Sequence, residues 1–239
     1  MGPKPRPTVL APSFALVGNR CHSLVATVVC VVPQVYLEAI GLTEGLSYVA
    51  IELEIKIRVE SHESIRAALR DAGAEYVSHV LETNRLLDLP DGALLKAGCG
   101  LRVRSVDVLD GDGPKTTLTY KGPREAGPVK RREELEVAVE DAAAMTSVLK
   151  ALGYGERIVF EKRRESWRMD DCRVELDEVP LLGTFVEIEG PTEASIEAVR
   201  QRLGLAGHAI EPRTYVALLT ERGDDDAADP RVFRFESPS

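Results

Sequence analysis

Ile51-Glu52-Leu53-Glu54-Ile55-Lys56-Ile57-Arg58-Val59-Glu60 alternates apolar and charged side chains without a break for ten residues. A period of two sends successive side chains to opposite faces of an extended chain, and β-branched residues at the apolar positions suit that geometry. The stretch therefore reads as a strand with one apolar and one charged face. The same alternation returns in Leu101-Arg102-Val103-Arg104, from Lys115 to Lys121, from Lys130 to Val139, around Arg157 to Arg164, from Arg173 to Val179 and from Thr184 to Glu189. With the less regular stretch from Glu75 to Asp88, the pattern predicts about eight strands.

Helical signals separate some of these strands. Ile65, Ala68, Leu69 and Ala72 follow Ser61 at helical spacing, with Gly73 at the C-cap position; Asp141 to Leu152 ends at Gly153, and Thr192 to Leu203 ends at Gly204. Pro212 opens a last short helix through Leu219. A Glu-x-Glu strand, a helix and a glycine thus recur three times: Glu52/Glu54 with Gly73, Glu134/Glu136 with Gly153, and Glu187/Glu189 with Gly204. The repeat implies a folding module whose acidic pair keeps to one side of the sheet.

The bulk numbers describe an ordinary globular chain: 239 residues, 44% hydrophobic, 29% charged. A net charge of −9 argues against a general nucleic-acid or acidic-membrane binder. Cys21, Cys30, Cys99 and Cys172 form no Cys-x-x-Cys pair and read as free thiols of a cytoplasmic protein. Residues 21–37 carry no charge, but Pro33 and Gln34 interrupt the apolar run well short of the roughly 20 residues a bilayer span needs. No membrane segment is expected. Three parts are expected: an N-terminal extension over 1–48 that need not be part of the fold, a domain over 49–220, and a disordered acidic tail over 221–239 carrying Asp224, Asp225 and Asp226.

Eight strands each carrying a dense charged face fit an open, solvated sheet poorly. Closing an antiparallel sheet of eight strands into a barrel removes its edges and turns one face into a lumen. The expected fold is therefore α+β: a closed antiparallel eight-stranded β-barrel with helices packed outside. Leu53, Ile55, Val103, Leu135, Val137 and Ile188 would face the helices. The lumen would hold an acidic set (Glu52, Glu54, Glu134, Glu136, Glu175, Asp177, Glu187, Glu189) and a basic set (Lys56, Arg58, Arg102, Arg104, Lys115, Lys121, Arg132, Lys162, Arg164). Confined carboxylates call for cations, and oxygen donors without His or Cys select hard ones such as Mg²⁺ or Mn²⁺. Arginine forks match phosphate oxygens. A polyanion bridged by metal to the carboxylates satisfies both sets, and a triphosphate chain fits that description.

The ordered set of motifs resembles the CYTH superfamily, the triphosphate tunnel metalloenzymes. Glu52-Leu53-Glu54-Ile55-Lys56 is similar to its Glu-x-Glu-x-Lys signature. Leu101 to Arg104, Thr119 to Pro123, Arg132 to Glu136, Glu161 to Arg164, Leu176-Asp177, Gly183 to Glu189 and Tyr215 to Leu219 follow in order. The resemblance implies that Glu52, Glu54, Glu187 and Glu189 hold metal, assisted by Asp177, Glu175, Glu134 and Glu136. It implies that Lys56, Arg58, Arg102, Arg104, Lys121, Arg132, Lys162 and Arg164 cradle phosphates, with Lys56, Glu52 and Glu54 nearest the chemistry. The last helix, with Arg213 and Tyr215, is similar to an element that plugs one tunnel mouth. The family includes class IV adenylate cyclases, thiamine triphosphatases and inorganic tripolyphosphatases. A cyclase-like activity on ATP is the first expectation, with hydrolysis of tripolyphosphate or thiamine triphosphate as the alternative, in a monomer or homodimer. A non-catalytic nucleotide or polyphosphate binder would keep the basic set and could lose the acidic one; here every acidic position is present. His22, His62, His79 and His208 are expected on the surface or in packing, and the only aromatic platforms in view for a base are Tyr215 and Trp167.

Overall fold

The computed structural model describes residues 48–109, 115–123, 130–222 and 230–236, without the side chains of 48–52 and 130–131. Strand β1 (Tyr48–Val59) contains the opening alternation. The strands that follow are β2 (Glu75–Asp88), β3 (Gly100–Val108), β4 (Lys115–Lys121) and β5 (Lys130–Val139). Next come β6 (Gly155–Met169), β7 (Cys172–Val179), β8 (Gly183–Glu189) and a three-residue β9 (Arg231–Phe233). The helices are α1 (Glu63–Asp71), α2 (Ala93–Lys96), α3 (Ala142–Ala151), α4 (Glu193–Arg202) and α5 (Tyr215–Arg222).

All nine strands join one sheet in the order β2-β3-β4-β5-β1-β8-β7-β6-β9, with a further pairing between β2 and β6. That pairing is long, running from Glu75 opposite Arg168 to Asp88 opposite Gly155, so each of β1 to β8 has hydrogen-bonded neighbours on both sides. Every pairing is antiparallel except β6 with β9. The sheet is not the closed eight-stranded barrel expected: β9, paired only to Ile158–Phe160 of β6, leaves it a ninth strand with an open edge. The stretch read as a disordered tail therefore supplies both the end of α5 and this strand. The expected extension over 1–48, apart from Tyr48, and residues 223–229 and 237–239 lie outside the described residues.

Alternation assigns the two faces of the sheet. Ile55, Ile57, Val174, Leu176, Val186 and Ile188 lie on the outer face beneath Ile65 and Leu69 of α1 and Ile196 and Val199 of α4. Val103 packs with Leu149 of α3. Val137, expected under a helix, is 52% exposed. The three repeat glycines sit just past α1, α3 and α4 with φ of +74°, +95° and +72°, where a Cβ is strained. In each case the next residue bonds back to the helix, as in Ala74 N to Leu69 O and Tyr154 N to Leu149 O. After Gly73 and Gly153 this turn leads the chain straight into the next strand, whereas after Gly204 it leads into the segment before α5.

At one end the inner face changes character. Ile158, Phe160 and Phe185 are apolar there, and Tyr215, Leu218 and Leu219 of α5 pack onto them together with Phe233 of β9. Arg231 of β9 donates to the Thr220 carbonyl near the C-terminus of α5 at 3.2 Å. Leu219 is 0% exposed within this cluster. Leu219→Ala is expected to lower the unfolding free energy by about 2–5 kcal/mol in urea denaturation. A loss under ~0.5 kcal/mol would mean that α5 is not packed as described.

Candidate functional site

The charged face is dense with ion pairs, in two groups. Along β6, β7, β8 and β1, Arg164 donates Nε to Asp177 Oδ1 at 2.7 Å and an amino group to Oδ2 at 2.6 Å, and it also bonds Glu187. Lys162 reaches Asp177 at 3.1 Å, and Lys56 reaches Glu187 at 3.5 Å. Ser166 donates to Glu175, which lies opposite Glu187 in register. Along β2 to β5, Arg104 binds Glu82 at 2.9 Å and Asn84 at 3.0 Å, Lys121 binds Glu134 at 2.7 Å, and Thr119 donates to Glu136 at 2.7 Å.

Glu82 joins the two arcs. It is 2% exposed and accepts Arg104 from β3 and Lys162 from β6, the latter at 3.2 Å. Burial alone would raise its pKa, but the nearby charges of Arg104, Lys162, Arg164 and Arg102 hold it well below the usual carboxylate range. Arg164 is likewise disfavoured by burial, yet Asp177, Glu175 and Glu82 keep its charge firmly in place. Glu175 goes the other way: burial raises its pKa.

Arg102 is the least satisfied cation of the set. It donates to Thr119 at 3.2 Å and lies 3.9 Å and 3.8 Å from Glu134 and Glu136, while its buried Nε has no hydrogen-bond partner. Burial, reinforced by the charge of Arg104, lowers its pKa to about 10. A buried guanidinium with an unused donor is costly in isolation and is relieved by a bound anion.

The sequence-derived candidates divide. Lys56, Arg104, Lys162 and Arg164 belong to one connected group and Arg102 and Lys121 to a second, and Arg132 stands opposite Glu52 in the β1–β5 register. Arg58 is exposed; it donates to the Leu182 carbonyl and stacks 4.5 Å from the Phe185 ring centre, so it serves the apolar end. The carboxylates expected to share metal are not drawn into one cluster: no group of three or more Asp, Glu, His or Cys suited to an ion occurs among the described residues. Many are held by arginine or lysine instead, whose positive charges offset the carboxylates. What the register does provide is Glu54 opposite Glu189 and Glu175 opposite Glu187. The Glu52 side chain lies outside the described residues. Trp167, a candidate base platform, is buried in the outer-face core under α1, its indole N–H given to Glu165 at 2.8 Å. His62 is a packing residue, its ring nitrogen 2.9 Å from the Phe185 carbonyl.

Glu82 and Asn84 were missed by the sequence reading because β2 alternates poorly. Their spacing of two, on a strand beside Arg102 and Arg104, is the signal that would have found them.

Motif order, register and charge now meet a direct comparison: the CYTH domain family matches residues 50–215. The chain belongs to the CYTH family. A Methanocaldococcus jannaschii protein named for adenylate cyclase is 31% identical over 139 residues, 58% of this chain and 76% of that one. The adenylate cyclase CyaB of Aeromonas hydrophila is 28% identical over 180 residues, 70% of this chain and 87% of its own. A solved Pyrococcus horikoshii protein superposes with a TM-score of 0.61 at 29% identity, covering 70% of this chain and 98% of that one. A Hippeastrum protein, described as an adenylyl cyclase with a dominant triphosphatase activity, shares the fold at 20% identity and TM-score 0.56, covering 72% of this chain and 96% of its own. No helix among the described residues is long and apolar enough to cross a membrane.

Glu82→Gln leaves Arg104 and Lys162 without their shared counter-charge and is expected to cost about 3–5 kcal/mol near neutral pH. Because the folded carboxyl titrates below its unfolded value of 4.5, its contribution is complete above that pH and is lost as pH falls through the folded value. The gap between wild type and variant in denaturant titrations should stay constant above about pH 4.5 and narrow progressively as the pH falls below it.

Proposed function

We propose that β1 to β8 enclose a tunnel in which this enzyme performs metal-dependent chemistry on a triphosphate, converting ATP to cyclic AMP and pyrophosphate in the manner of a class IV adenylate cyclase. The observation that carries the reading is Arg102, a largely buried cation beside Arg104 with a donor left unused. Together with Lys121, Arg132, Lys162, Arg164 and Lys56, it offers an anion charge-assisted hydrogen bonds from several strands. Such convergence suits a chain of phosphates better than a single one.

Glu54 and Glu189, set opposite each other, supply only hard oxygen donors, and with Glu52 and Glu187 they fit Mg²⁺ or Mn²⁺ by type. When bound there, a divalent ion would neutralise phosphate charge and help ionise the attacking oxygen. The protein's own part is positioning. Phosphoryl and nucleotidyl transfer need little covalent help once the charges of the phosphate oxygens are met in fixed geometry. Glu82 and Asp177 serve as counter-ions that aim Arg104, Lys162 and Arg164.

Hydrolysis of a triphosphate is the second reading, and one observation favours it. Among the described residues, the inner-face aromatics Phe160, Phe185 and Tyr215 are all engaged in the apolar cluster, leaving no ring free to stack a base. An enzyme that grips phosphates and reads little else would accept tripolyphosphate as well as ATP.

Phosphorus NMR of ATP and tripolyphosphate incubations with Mg²⁺ or Mn²⁺ separates these outcomes. Pyrophosphate with cyclic AMP is expected from ATP under the first reading, and orthophosphate from either substrate under the second. No turnover of either substrate would refute both. Arg102→Ala is expected to reduce kcat/KM by the equivalent of about 1.5–3 kcal/mol on any substrate that is turned over.

A further inference from the structure

Tyr215 stands where the plug helix meets the charged face. It is 7% exposed, and its hydroxyl donates to Asp177 Oδ2 at 2.8 Å. The same carboxylate oxygen takes Lys162 and Arg164, so three donors from two elements converge on one atom. On its face, the Tyr215 ring carries the Lys56 ammonium 3.9 Å from the centroid, with Lys162 at 5.5 Å. Both distances lie within the range of cation–π attraction. Phe185 meets the ring edge-on at 5.2 Å and 76°, which fixes its plane.

The lead-in to α5 grips the same lysine. Glu211 donates its backbone N–H to the Lys56 carbonyl at 2.7 Å, and Lys56 Nζ donates to the Arg213 carbonyl at 3.0 Å. Lys56, 1% exposed, is therefore aimed by a segment more than 150 residues away in sequence rather than by its own strand alone. Burial and the charges of Asp177 and Glu187 push the Tyr215 phenol well above its ordinary pKa, so it acts as a donor and not as a base.

We propose that Tyr215 is a positioning residue that sets Lys56 directly and Lys162 and Arg164 through Asp177, which makes the plug helix part of the reacting apparatus. The proposal rests on the triphosphate reading of the charged face. Arg102, Arg104 and Lys121 touch neither Tyr215 nor Asp177 in the hydrogen-bond and ion-pair geometry, so they continue to hold an anion if Tyr215 is lost. The transition state, whose charge must be met at one point, suffers more from a misplaced cation than ground-state binding does.

The test compares wild type, Tyr215→Phe and Tyr215→Leu in steady-state turnover, in calorimetric binding of tripolyphosphate and in melting temperature. Tyr215→Phe keeps the ring and its packing but loses the hydroxyl. Its affinity should stay within about twofold, while kcat falls about tenfold, as befits one hydrogen bond to a charged group. Tyr215→Leu also removes the ring beneath the ammonium groups and should lower kcat about a hundredfold. Wild-type kcat in Tyr215→Phe overturns the positioning role, because a side chain that only filled space would change stability and affinity and leave kcat alone. A wild type that neither binds nor turns over ATP or tripolyphosphate overturns the triphosphate reading, and the positioning role falls with it.

Discussion

Glu82 lies on the seam between β2 and β6, between a guanidinium from β3 and an ammonium from β6, and it is almost wholly out of water. Three charges in a row are tolerable in a protein interior only when each satisfies the next, since an isolated buried ion is far more costly than a paired one. The chain continues from Lys162 to Asp177, from Asp177 to Arg164, from Arg164 to Glu187, and from Glu187 to Lys56. From Arg104 to Lys56 the inner face thus behaves as one electrostatic unit. Removing Glu82 would leave Arg104 without its closest carboxylate, whereas Asp177 and Glu187 each have more than one cationic partner.

The charged face as a whole is unevenly balanced. On the side of β6 to β8, Asp177 and Glu187 are held by lysine and arginine. On the side of β3 to β5, Arg102 is left with distant partners and an unused donor. A face built this way favours an incoming anion at the under-satisfied side and stays rigid at the other. Rigidity matters to function because fixed charges need not reorganise as a reaction proceeds.

Helix α5 settles the remaining geometry. Its apolar side covers Ile158, Phe160 and Phe185, while its polar edge touches Asp177 and Lys56. Hydrophobic burial at one end therefore holds the helix that aims charges at the other. β9 supports the same helix from beyond the residues matched by the family, through Phe233 and Arg231.

Which residues share a face was readable from the sequence, because a period of two decides sides locally. The perfect alternation from Ile51 to Glu60 put Glu54 and Lys56 opposite Ile55 and Ile57, and the structure keeps them so. The turn glycines at Gly73, Gly153 and Gly204 were equally local, since a positive φ is a property of one residue. Who meets whom across the face was not local. Pairing of β2 with β6 joins segments about 80 residues apart, and only that register brings Glu82 to Lys162. Arg58 shares its face with Lys56, but the approach of Phe185 and Leu182 drew it to the apolar end. Asp177 belonged by alternation to the acidic set, and only packing against α5 and β6 turned it into a counter-ion for two cations and a tyrosine. Alternation determines the side on which a charge lies; its partner is chosen by register between distant strands, which one strand's pattern does not encode.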